Sequence, residues 1–225
     1  TSRMKVEMHT HTSETSPCAH INAKDVLKLY KEAGYDTVII TDHYSKWAIE
    51  QSGAKTPDEM IYHFLKGYRV ALKYSKKIGI NVLLGCEVTL TESPNDYLLY
   101  GADESFFFKH NFLYNLSIEE LSELCHNEGI LIIQAHPGRA YCEPVNPVLL
   151  DGAEVYNGNL RHDSNNDKTY AWAYEHDLIM TSGSDFHEKE DLAHGGIITE
   201  HEIKTEEQLI KTLLSGNYSL ITPAE

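Results

Sequence analysis

The sequence predicts an α/β fold built on a mostly parallel sheet, either a closed barrel or a doubly wound sheet. Three observations carry that expectation. Short β-branched runs recur along the chain, an amphipathic stretch of helical period follows most of them, and capping residues or glycines mark the joins. There is no internal repeat and no low-complexity linker. With 225 residues, 41% of them hydrophobic, the chain can bury a full core, and residues 4–225 are expected to form one domain.

The elements follow in order. Residues 6–11 are the first strand. Residues 23–33 carry a helical stripe of Val26, Leu27, Leu29, Tyr30 and Ala33, with Asn22 as N-cap and Gly34 as stop. Thr37-Val38-Ile39-Ile40-Thr41 is a buried strand. Thr56-Pro57 opens a helix over 58–77 that Gly79 closes. Residues 81–88 and 96–101 are the next strands. Ser117-Ile118-Glu119-Glu120 matches a capping box, starting a helix that runs to about Glu128 before Gly129. Ile130-Leu131-Ile132-Ile133 is again a buried strand. A strand over 152–156, a helix over 166–176 and a strand over 178–182 repeat the unit. A helix over 205–214 and a strand over 218–221 finish it, and the acidic run 200–207 reads as a solvated helix start. Phe106-Phe107-Phe108, Tyr62, Phe64 and Tyr68 read as packing rather than as a base-stacking platform, or as walls of a substrate cleft.

Composition narrows the function. Nineteen basic against 34 acidic residues give a net charge of −15, which argues against nonspecific nucleic-acid binding and against anionic membranes. No apolar run is long enough to span a bilayer. Thr1-Ser2-Arg3 ahead of Met4 has no secretory character. Cys18, Cys86, Cys125 and Cys142 form no CxxC pair and read as reduced thiols of a cytoplasmic protein. The 13 histidines are the unusual feature.

Barrels and doubly wound sheets both place their chemistry at the C-terminal ends of strands, and the polar residues collect there. His9 and His11 stand at i and i+2 on the first strand, so both imidazoles reach one ion, while Val6 and Met8 on the other parity would face helices. Asp42 and His43 close the second strand. Glu87 closes an apolar strand where an unpaired carboxylate is costly, so a metal or a basic partner must satisfy it. His136 ends the next strand, and Pro137-Gly138 turns the chain toward Arg139, whose fork suits either an anion or a surface ion pair. Asp185 and His187 repeat the i, i+2 spacing. His20 stands in the Cys18-Ala19-His20 loop. Asn157, Asn159, Arg161 and His162 follow another strand end and share the rim. Such mixed imidazole and carboxylate ligation suits Zn, Mn or Fe, and the ligands are too many for one ion, so two or three divalent metal ions are expected.

HxHT, TDH, GxE, AHPGR and SDFH, in this order from Met8 to His187, resemble the PHP (polymerase and histidinol phosphatase) superfamily of metal-dependent phosphoesterases. The Cys-Ala-His stretch is similar to the loop histidine of its histidinol-phosphatase branch. The resemblance implies a distorted (β/α)7 barrel with a trinuclear site. It assigns His9, His11, Glu87 and Asp185 to one metal, Glu87 and His136 to a second, and His20, His43 and His187 to a third. A histidine expected between the GxE and AHP motifs is missing, which leaves Asp96, Asp103 or His110 to replace it. Glu7 is implied as support for a ligand histidine.

The implied reaction is metal-dependent hydrolysis of a phosphate ester by a metal-bridging hydroxide. The substrate would be a small phosphomonoester such as histidinol phosphate or a nucleotide. Arg139 would hold the phosphate, and Asp42 or His194 would supply or relay the leaving-group proton. Two other classes compete. A binuclear amidohydrolase also opens with HxH but wants a lysine carbamate at a strand end. A non-catalytic metal-binding PHP module would fold with metal and turn nothing over.

Overall fold

In the computed structural model, which describes residues 3–223, ten strands and seven α-helices follow one another along the chain. They run β1 (Met4–Thr10), α1 (Ala23–Glu32), β2 (Thr37–Ile40), β3 (His43–Tyr44), α2 (Lys46–Gln51), α3 (Pro57–Ile78), β4 (Asn81–Thr89) and β5 (Asp96–Tyr100). Then follow α4 (Glu104–Lys109), α5 (Ile118–Glu128), β6 (Leu131–Gln134), β7 (Gly152–Asn157), α6 (Asn166–Glu175), β8 (Ile179–Gly183), β9 (Ile197–Thr199), α7 (Glu206–Ser215) and β10 (Tyr218–Leu220). Thr1, Ser2 and the last two positions of the expected domain lie outside the described residues.

The caps explain the boundaries. Asn22 accepts from Asp25 N, and capping boxes formed by Thr56 with Glu59 and by Ser117 with Glu120 start α3 and α5. Gly79 and Gly129 end those two helices in the left-handed conformation. Elements of two to six residues (β3, α2, α4 and β9) have no stretch long enough to show a period, and sequence patterning misses them. Phe106 and Phe107 of α4 are core residues, whereas Tyr62 is 53% exposed.

The sheet order is β10-β9-β1-β2-β4-β5-β6-β7-β8, with β3 beside β4. It is less parallel than expected. β5 runs antiparallel to both β4 and β6, because β4 turns directly into it without a crossover helix, and β9 is antiparallel to β1 and β10. The barrel closes at its C-terminal rim, where Phe186 N donates to His9 O (3.1 Å) and His11 N to Phe186 O (3.0 Å). Lower on that edge of β1, β9 takes over. The seam is tight: a Cβ on Gly195 would lie 2.4 Å from the carbonyl carbon of Gly183.

Val6 and Met8 face the barrel interior rather than the helices packed outside it. They join Ile39, Leu83, Leu98 and Ile133 inside the barrel, and Leu209 and Leu213 of α7 plug its lower end. Glu7 points the other way, toward Tyr30 of α1. A register irregularity between Glu7 and Thr10 then turns His9 and His11 onto the rim. The acidic run before α7 is not wholly solvated either: Glu206 is largely buried, and its Oε1 accepts from Leu84 N (2.9 Å). Among the described residues no helix is long and apolar enough to cross a membrane.

Candidate metal centre

The first ligand group forms where β1, β4 and the segment after β8 meet. His9 Nε2 lies 3.1 Å from Glu87 Oε1 and 3.3 Å from Asp185 Oδ1; His11 Nε2 lies 3.0 and 3.3 Å from the same two oxygens. These four atoms are buried, face one another, and make no hydrogen bond. Four unsatisfied polar atoms at one point are costly unless a cation joins them. Ligand bonds of about 2.0 Å in a tetrahedron give edges of about 3.3 Å, close to the four N···O separations of 3.0–3.3 Å here. The residues present therefore fit a divalent ion.

Two further groups adjoin the first. Glu87, Asp96 and His136 form one, with His136 Nε2 at 3.2 Å from Glu87 Oε2 and 3.5 Å from Asp96 Oδ2. Of the three replacements considered for the missing histidine, geometry brings in only Asp96. Asp103 caps α4, and His110 lies 3.5 Å from Glu128. His11, His43 and His187 form the other group, their rings stacked at 4.2 Å on either side of His11. His20 is not among them. Its backbone N–H is tied to His187 O, and its exposed ring turns out toward Glu188 (3.4 Å).

Surrounding residues fix the ligand rings. His9 Nδ1 donates to Glu154 Oε2 (2.6 Å), which leaves the Nε2 lone pair for an ion. Glu154 Oε1 accepts from His136 N (3.2 Å) and Asn157 Nδ2 (2.8 Å). His187 Nδ1 donates to the Asp185 carbonyl (2.9 Å). Asp42 takes Thr12 N, Thr12 Oγ1 and Ser16 Oγ, each at 2.7 Å, and Ser16 Oγ in turn accepts from His43 N (3.0 Å). Gly67 of α3 permits this packing, because a Cβ there would overlap the Thr12 hydroxyl. Glu7 touches no ligand ring; it accepts from His9 N and Ser184 N and so ties two ligand-bearing strands together by their backbones. His136 (φ 29°) and Asp185 (φ 52°) both hold left-handed backbone, strain of the kind that collects at functional sites.

Charge follows the geometry. Burial pushes the His9 imidazolium down, yet the Asp185, Glu154 and Glu87 carboxylates together hold it well above its ordinary value. Burial likewise opposes the charge on Glu87 and Asp185, but the neighbouring histidines, His9 foremost, keep both well below the usual carboxylate range. Burial, reinforced by His11, lowers His43 to about 3 and His187 to about 4, so both imidazoles are neutral at physiological pH.

A cavity of about 230 Å³ opens over these groups. Arg139 lines it but is largely committed: it donates to Asp185 Oδ2 (2.8 Å), Asn157 Oδ1 (3.0 Å), Ser164 Oγ (3.1 Å) and Tyr141 Oη (3.1 Å). Asn159, Arg161 and His162 line it as well, with Arg161 clamped to Asp191 (2.7 Å). Asp42 and His194 do not line it. His194 Nδ1 faces Gly158 O (3.2 Å). No lysine lines it among the described residues. Sequence reading missed Glu154, although a lone carboxylate inside the apolar run 152–156 was the same signal that singled out Glu87.

The PHP domain family matches residues 7–185, and a PHP-associated family matches 163–218. An uncharacterized protein of Methanocaldococcus jannaschii is 26% identical over 171 residues, covering 70% of this chain and 84% of that protein. Among solved structures, the fold is similar to a two-domain protein of Bacteroides vulgatus containing a predicted PHP-like metal-dependent phosphoesterase. That likeness has a TM-score of 0.73 and 15% identity over 98% of this chain, and the chain spans 65% of that protein. It is also similar to a lesion-specific endonuclease of Pyrococcus furiosus (TM-score 0.67, 18% identity), covering 97% of this chain and 58% of the endonuclease. A nuclease on this fold removes the support that net charge lent to excluding nucleic acid. The motif order, the barrel and the rim of imidazoles and carboxylates agree with the family match: the chain belongs to the PHP domain family.

Proposed function

We propose that the chain is a metal-dependent phosphoesterase whose substrate is a small phosphomonoester. The observation that carries this reading is the convergence of His9, His11, Glu87 and Asp185, four buried and unpartnered ligand atoms, beneath a cavity that Arg139 and Arg161 also line. Two or three divalent ions (Zn, Mn or Fe) held by the three groups would polarise a phosphoryl group and activate water for attack on phosphorus. The protein's own part is positioning. Glu154 holds His9 and the His136 backbone, Asp42 holds the loop carrying Thr12 and Ser16, and Arg139 orients Asp185 while keeping one N–H for a phosphate oxygen. A cavity of about 230 Å³ favours a terminal phosphoryl group with its leaving group toward solvent. Histidinol phosphate and nucleotides both meet that description.

The test is phosphate release from a panel of phosphomonoesters, one phosphodiester and a duplex with an abasic site, with Mn or Zn added, against Asp185→Ala. Metal-dependent release from monoesters that collapses in the variant supports the reading. Metal binding without release above the variant overturns it and favours a non-catalytic module, and cleavage confined to the duplex assigns a nuclease instead.

A further inference from the structure

Hydrolysis of an alkyl phosphate needs a proton for the departing alkoxide, and the two residues the sequence offered, Asp42 and His194, lie off the cavity. Three uncommitted proton donors do line it: Tyr141, His162 and Cys18. Burial pushes the Cys18 thiol up to about 12, and burial together with Arg139 lowers His162 and so disfavours its protonated form. Tyr141 differs from both. Arg139 Nη1 donates to its oxygen (3.1 Å), and no described residue accepts its own proton. An oxygen that already accepts from a guanidinium must send its O–H elsewhere, and Tyr141 lines the cavity. The same guanidinium grips Asp185 Oδ2 at 2.8 Å, so the phenol is fixed relative to a ligand of the first group. At 48% exposed, Tyr141 also meets solvent, from which a lost proton is replaced.

We propose that Tyr141 is the leaving-group acid of this site and that the site is therefore fitted to phosphomonoesters of aliphatic alcohols. The proposal rests on the phosphoesterase reading. In the step, the oxygen of water bonds to phosphorus and the ester P–O bond breaks with its electron pair on the alcohol oxygen. That oxygen takes the proton from Tyr141 Oη. The proton released by the attacking water returns to the tyrosinate through solvent. A phenol is a stronger acid than the alcohol it generates, so the transfer runs downhill.

The test compares Tyr141→Phe with wild type, both loaded with Mn, on β-glycerol phosphate and on p-nitrophenyl phosphate, whose leaving group needs no proton. Tyr141→Phe should lose about 10²-fold or more in kcat on the alkyl ester and stay within about 3-fold on the aryl ester. Metal content by elemental analysis and the melting temperature should not change. Equal losses on both esters, no loss on either, lost metal, or an alkyl-selective loss in His162→Gln in place of Tyr141→Phe overturns the assignment. So does wild type that cleaves only the aryl ester. Wild type that cleaves neither ester overturns the phosphoesterase reading itself, a failure seen without any variant.

Discussion

Replacing Glu154 by Gln removes a carboxylate that no sequence motif marks, and the structure sets the size of the effect. One oxygen accepts the His9 Nδ1 proton at 2.6 Å and the other accepts the His136 backbone N–H, so Glu154 reaches ligands of two groups at once. Carboxylates placed behind ligand histidines contribute about 10–100-fold to metal affinity, or about 1.4–2.8 kcal/mol. The glutamine keeps the side-chain volume and can still accept from His9, so the fold should survive while the basicity of His9 Nε2 falls. We expect Glu154→Gln to weaken Zn or Mn binding by about 10–100-fold in a chelator competition titration. Glu7→Gln, which alters a carboxylate bound only to backbone, Tyr30 and Ser184, should change that affinity far less. Affinity in Glu154→Gln within about 2-fold of wild type would refute the role given to the His9–Glu154 contact.

Other expectations follow from burial and charge. Asp185→Ala should abolish binding at the first metal group and leave the buried Arg139 unpaired, costing about 3–5 kcal/mol by urea unfolding of the metal-free protein. Leu213→Ala, which opens a void where α7 plugs the barrel, should cost about 2–5 kcal/mol in the same experiment. Burial pushes the Glu206 carboxyl up to about 7 from 4.5. The folded chain thus keeps a proton that the unfolded chain releases. Stability from this group is complete below about pH 4.5 and is lost as pH rises through about 7, by at most about 3 kcal/mol. Glu206→Gln should flatten that part of the pH–stability curve measured by thermal melts.

Much of this architecture was legible because the decisive signals are local. A cap at Asn22, a capping box at Ser117 and a glycine stop at Gly129 act over one helical turn, and apolar runs such as Val38-Ile39-Ile40 announce strands without reference to anything distant. The convergence of polar side chains at strand ends was legible for the same reason, since His9 and His11 carry the period of a strand. What stayed hidden depends on contacts between distant segments. The antiparallel course of β5 is set by how the chain turns after β4, and the inward turn of His9 by an irregularity in β1 pairing. His20 and Asp96 show the limit from both sides. The loop bearing His20 is held by its backbone with the ring facing out, whereas Asp96 reaches His136 because β5 lies between β4 and β6. Neither placement is written in the spacing of residues.

The central claim is that the rim is a multinuclear metal centre, and equilibrium dialysis against Mn or Zn followed by elemental analysis tests it most directly. With three ligand groups sharing Glu87 and His11, wild type should retain two or three ions per chain, and Glu87→Ala should retain fewer. Retention of less than one ion per chain by the folded wild-type protein would contradict the account.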